Sequence, residues 1–171
     1  MGIKMSKTQF MKFVFTSIFI LIFFFAYMDT QGLAMVNNIG GYTGDTYSKM
    51  HDSYMNLFWT FAYGMILAVA LIFYYSRRDI SEAVAIGAGS LLMLWSGLED
   101  VIYYWLLGRP GLDASMPWLW ESPLSLMSRV LGESTVTPVG LYLQLILGSL
   151  LTVCVVKWLW ARNGKIFGVK Y

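Results

Sequence analysis

The chain is poor in charge, cysteine and histidine, and each shortage excludes something. Only 13% of its 171 residues are Asp, Glu, Lys or Arg, and 57% are hydrophobic. Soluble domains carry about 25% charged residues, so a soluble globular domain is excluded. One cysteine, Cys154, rules out a disulfide or a Cys-based zinc site within the chain. It lies in an apolar run and reads as a small buried hydrophobe. One histidine, His51, rules out bis-histidine haem ligation, H-E-x-x-H zinc chemistry and multi-histidine copper or iron sites. No P-loop, G-x-G-x-x-G or G-x-S-x-G motif is present, and a net charge of +2 does not indicate a nucleic-acid partner. No cofactor and no metal site is expected, because the spacing of the acids supports no specific ligand set.

What is present is length of apolar sequence. A bilayer-crossing helix needs about 20 mostly apolar residues. The runs Phe13–Met28, Ser53–Ser76, Ala83–Gly108 and Ser134–Val156 meet that need, with spans drawn at about 10–28, 53–76, 82–108 and 136–160. Lys12 lengthens the short first run by snorkelling. The expected fold is an all-α integral membrane protein, a four-transmembrane-helix bundle forming one domain over 1–171. Lys4, Lys7, Lys12, Arg77, Arg78, Lys157, Arg162, Lys165 and Lys170 fall on one side, and Lys49, Arg109 and Arg129 on the other. By the positive-inside rule both termini are cytoplasmic, in a plasma membrane. The basic start and Gly32-Leu33-Ala34 would also suit a cleaved signal segment, but the first span is expected to be retained.

Between the spans, 29–52 is rich in Gly, Asn, Asp and Thr and reads as an irregular outer loop. The second outer loop looks more ordered. Ser122 before Pro123 is a good helix start, and Leu124, Met127 and Leu131 share one helical face with Ser125, Ser128 and Arg129 elsewhere. A short amphipathic interfacial helix is expected there. Packing in lipid relies on small and polar residues. The stripes Asn56-Thr60-Gly64-Ala68, Ala85-Gly89-Gly97 and Gly140-Gln144-Gly148-Thr152 are the expected seams.

The most telling feature is Glu99-Asp100, two carboxyls inside the third apolar run. Charged groups at membrane depth are costly and usually mark a functional site. Lys12 and Lys157 stand at the cytoplasmic ends of their spans, so no basic residue inside a span is available to neutralise the pair, and a proton, a bound cation or a cationic ligand must do so. Helical spacing gives Glu99 the neighbours Trp95 and Tyr103, and Asp100 the neighbours Ser96 and Tyr104. At 1.5 Å per residue, Thr60, Tyr63 and Gln144 fall at a similar depth in the outer half of the bilayer, and Asp29 closes the first span nearby. Glu99 and Asp100 are the candidate catalytic pair. Thr60, Tyr63, Trp95, Ser96, Tyr103, Tyr104, Gln144 and Asp29 are the candidate ligand contacts. The bland alternative is a protonated acid serving as interhelical glue, although one carboxyl would suffice for that.

The expected function is an intramembrane acidic and aromatic pocket that binds or transforms a small hydrophobic or cationic molecule. As chemistry this would be acid–base catalysis, with Glu99 as donor or base and Asp100 tuning it. The alternatives are an accessory subunit of a larger membrane complex and a proton- or cation-coupled transport component. Membrane lipids, a lipid-like or cationic ligand, a second copy or partner membrane subunits are the expected partners. Four spans with cytoplasmic ends, the acid in Met28-Asp29-Thr30-Gln31 and intramembrane acids together resemble the EXPERA group, which includes a sigma receptor and a sterol isomerase. That resemblance covers isolated residues, and the acid pair here stands on the third span, in Leu98-Glu99-Asp100-Val101-Ile102-Tyr103-Tyr104.

Overall fold

A computed structural model describes residues 6–39, 45–77, 79–106, 112–116, 119 and 122–162. Its helices are α1 (Lys7–Ile39), α2 (Asp45–Arg77), α3 (Ile80–Trp95), α4 (Leu98–Leu106), α5 (Leu126–Val130) and α6 (Pro138–Ala161), with a 3₁₀ turn at Pro123–Ser125 leading into α5. Among the described residues the β content is one antiparallel bridge, Met116 to Val136. Among the described residues, parts of α1 (Lys7–Met35) and α2 (Asp52–Ser76) and all of α6 are long and apolar enough to cross a membrane, and α3 and α4, bent by 66° at their junction, pass the same test together, which gives three spans, or four where the bent pair is one. The protein is an all-α, membrane-embedded chain.

Local signals explain where the helices start. Ser6 and Gln9 cap α1 reciprocally, backbone N–H of each to side chain of the other, at 2.9 and 3.3 Å. The Asp79 carboxylate accepts from the backbone N–H of Ser81 and Glu82 at the start of α3. Thr137 caps α6, with Pro138 in the first turn, where its missing N–H leaves nothing unpaired.

Packing follows a spacing of three and four. Phe10, Val14, Ile18, Ile22 and Phe25 of α1 meet Phe58, Ala62 and Ile66 of α2, Ile86 and Leu94 of α3, and Val156 and Leu159 of α6. α3 lies centrally, against α1, α2 and α6, while α4 packs mainly on α1. The small-residue faces of α3 and α6 point into the bundle as expected, Gly148 against Ser96 and Gly140 against Ser128.

Several expectations are corrected. The third span is not continuous but breaks at Ser96 and Gly97. Residues 29–39 and 45–52 are helical, so α1 and α2 run on past the expected loop boundaries. The Asn56-Thr60-Gly64-Ala68 face of α2 points outward, because the large apolar side chains opposite it take the core, and Thr60 satisfies its own hydroxyl on the Asn56 carbonyl at 2.8 Å. Cys154 is exposed on α6. The expected apolar face of the second-loop helix divides, with Leu124 buried and Leu131 exposed. Ser125 and Ser128 are buried, while Leu126, Val130 and Leu131 are exposed, since Ser128 Oγ takes the Thr137 N–H at 3.2 Å and lies against Gly140.

Gly97 makes the break possible. Its φ is +86°, and a Cβ there would overlap the Leu141 side chain. Gly132 has φ +75° with open space around it. Gly132→Ala is therefore expected to lose about 1–2 kcal/mol, the left-handed strain alone, and Gly97→Ala measurably more. Detergent-titrated unfolding of the bilayer-reconstituted protein checks the order.

Candidate functional site

The break between α3 and α4 decides where the acids go. A helix end leaves carbonyls without intrahelical partners, and in lipid each must be answered by protein. Here Ser96 N–H donates to Leu92 O at 2.9 Å, Ser96 Oγ to Met93 O at 2.8 Å and Gly97 N–H to Leu94 O at 3.2 Å. The Trp95 carbonyl receives the Gln144 amide nitrogen from α6 at 2.8 Å. The chain then restarts as α4, with Val101 N–H on Gly97 O at 3.1 Å. Glu99 and Asp100 fall in the first turn of α4, where the helix dipole favours negative charge.

Because α4 lies on α1, the pair is brought to a third acid. Asp29 continues the buried stripe of α1 and is only 7% exposed. Tyr54 of α2 donates its hydroxyl to Asp29 Oδ1 at 2.9 Å. Gly32, one turn beyond Asp29, is the close-approach point, since a Cβ there would overlap the Tyr54 ring. Asp29 lies within electrostatic range of both Glu99 and Asp100, and Tyr54 within range of Glu99 and Tyr103. Asp100 is half-buried. Glu99 is 5% exposed, and its Oε1 has no hydrogen-bond partner.

The other candidate residues separate into two groups. Ser96 and Gln144 hold the break with their polar atoms bonded to backbone. Thr60, Tyr63 and Trp95 are exposed, with Trp95 Nε1 donating to Tyr63 Oη at 3.1 Å and the Trp59 ring tilted 31° to that of Tyr63 at 5.7 Å. Tyr103 is half-buried beside the acids and meets Tyr104 edge-on at 5.6 Å. Tyr104 is buried and donates to Asp113 at 2.9 Å, linking α4 to the segment that follows. The expected neighbour pairs Trp95–Glu99 and Ser96–Asp100 assume one continuous helix, which the break removes.

Tyr54 is the site residue that motif reasoning missed. Its signal is the stripe Tyr54-Phe58-Ala62-Ile66, whose last three members are buried at four-residue spacing. Asp52 is exposed at the start of the apolar part of α2, and the side chain of His51 lies outside the described residues. Among the described residues no group of three or more His, Cys, Asp or Glu is set to hold a metal ion. The arrangement offers instead carboxyl oxygens able to take a proton or the donor groups of a cation, beside tyrosine rings.

Compared with known proteins, the chain matches no family model, no curated sequence and no solved structure. The likeness to the EXPERA group accordingly rests on isolated residues alone.

The Tyr54–Asp29 contact has a clear test. Tyr54→Phe removes one donor from a buried carboxyl and is expected to destabilise by about 1–3 kcal/mol. Gly32→Ala should also destabilise, although Gly→Ala inside a helix ordinarily stabilises by up to about 1 kcal/mol. Unfolding free energies of the two variants in bicelles decide it, and a stabilised Gly32→Ala protein would show that the ring does not sit against this turn.

Proposed function

We propose that this protein spans the membrane four times and uses an acidic and aromatic site in the outer half of the bilayer to bind or transform a small cationic or hydrophobic molecule. One observation carries the reading: Glu99 Oε1 is buried without a hydrogen-bond partner while two further carboxyls lie within electrostatic range. Burying a charge is expensive unless it is paired. A proton, a cation or a donor group of a ligand would relieve that cost, and Glu99 would exchange it. Asp100 and Asp29 would set the local potential, and Tyr54 would fix Asp29. The tyrosine rings would favour a cationic centre through their faces.

The distribution of Lys and Arg supports cytoplasmic termini and a plasma-membrane location. Under that orientation the acids lie toward the outer surface, and the exposed Leu126, Val130 and Leu131 would rest in the outer interface. Lipids would cover the outward faces of α2 and α6. A second reading, an accessory subunit or a self-associating protein, draws on α2, whose apolar window is only 17% buried and would accept a neighbouring helix. Proton- or cation-coupled transport would use the same carboxyls with such a partner completing a pathway.

A hydrophobic carbodiimide, which reacts with protonated carboxyls in apolar surroundings, tests the site in lipid nanodiscs. Glu99 is expected to be the main labelled residue, and Glu99→Gln to abolish that label. A bound ligand drawn from a panel of sodium, alkylammonium salts and lipid-like amines should slow labelling about tenfold, the factor that 1.4 kcal/mol of binding gives. Indifference of the label to pH and to every compound of the panel would leave Glu99 as glue.

A further inference from the structure

We propose that Gln144 is a positioning residue for the acidic site, and that it couples the placement of Glu99 to the segment between α4 and α6. The proposal rests on reading Asp29, Glu99 and Asp100 as that site. In an uninterrupted α-helix the N–H of residue 99 bonds to the carbonyl of residue 95. Here the Trp95 carbonyl is occupied by the Gln144 amide nitrogen at 2.8 Å. Gln144 therefore holds the acceptor that the backbone N–H of Glu99 would otherwise claim. While Gln144 keeps it, α3 ends and α4 starts afresh with its acids turned toward α1. When Gln144 lets go, the Glu99 N–H can take the Trp95 carbonyl and the helix can continue through Ser96 and Gly97, carrying the carboxyls away from Asp29.

The rest of the Gln144 amide is tied to the connecting segment. Its nitrogen also donates to Pro123 O at 2.9 Å, and its oxygen accepts the Met127 N–H at 3.3 Å. Ser128 Oγ, one residue on, receives the Thr137 N–H at 3.2 Å, which fastens the same segment to the start of α6. Displacing residues 123–127 would thus pull on the group that keeps the break open. Gln144 is itself 7% exposed, so water is poorly placed to replace any of these partners. The coupling runs through one side chain with two backbone contacts on the segment and one on the break.

The bend can be read directly in the full chain in nanodiscs, in a Cys154→Ser background with spin labels at Val84 and Trp105, both exposed. From 1.5 Å per residue and the 66° bend, straightening should lengthen the backbone separation of these positions by about 5 Å. Gln144→Leu removes all three hydrogen bonds. Gln144→Glu keeps the oxygen for Met127 but, when charged, has no donor for Trp95. Both are expected to shift the distance distribution toward the longer value and to change the carbodiimide labelling rate of Glu99 about fivefold, the factor that roughly 1 kcal/mol in a local equilibrium produces. Ser149→Ala, on the same helix, should leave both readouts unchanged. Unchanged distance and labelling in folded Gln144 variants, even with a lower melting temperature, would make Gln144 a passive clamp and overturn the proposal. Failure of both variants to fold beside a folded Ser149→Ala protein would overturn it equally. The distance readout needs no ligand, so it stands or falls separately from the ligand response of Glu99.

Discussion

The structure depends on how the backbone is satisfied where the third long apolar segment stops being a helix, between α3 and α4. In lipid no water is available to bond a stray carbonyl or N–H, so a span can break only where side chains or turned backbone supply partners. At Ser96 and Gly97 the chain meets that condition with its own turn, one serine hydroxyl and one glutamine from another helix. Each contact is ordinary by itself. Their combination lets α4 leave the axis of α3 by 66° and present its first turn to α1.

That geometry also explains how two adjacent acids are tolerated. In the middle of a continuous helix, Glu99 and Asp100 would gain nothing from the backbone, whose N–H groups are all engaged. In the first turn of α4 they meet the positive end of the helix dipole. The compensation is partial, because Asp29 adds a third carboxyl and Glu99 Oε1 still lacks a partner. A lone protonated acid would have held two helices together at less expense. The surplus of acid is what the proposed binding or chemistry would use.

The membrane-crossing architecture was legible because it is written in long apolar runs, and Glu99 and Asp100 stood out against one of them. The break was not, because Gly97 is one of 16 glycines and its stabilising partner, Gln144, lies far along the chain. Spacing rules then carried Trp95 and Ser96 into the site as helical neighbours of the acids, across a point where helical spacing no longer holds. The α2 stripe misled for a different reason. Small residues at four-residue intervals favour close packing, but Phe58, Ala62 and Ile66 bury more apolar surface and so set which face turns inward. Their stripe, followed back one turn, leads to Tyr54.

The helices divide the work. α1, α2 and α4 bring the titratable groups together, whereas α6 supplies no acid to the site and holds the break that α4 starts from. A chain built only to stack helices would gain nothing from that division, since an uninterrupted third span would bury its own backbone at no cost to its neighbours. Gln144 serves α4 from a helix that has no direct part in the acid cluster, and its remaining bonds reach a segment outside the membrane-crossing helices. A change at that segment can therefore reach Glu99 without disturbing the α1–α2–α3 core, because the two are joined through hydrogen bonds at one amide, not through the packed aromatic and aliphatic side chains.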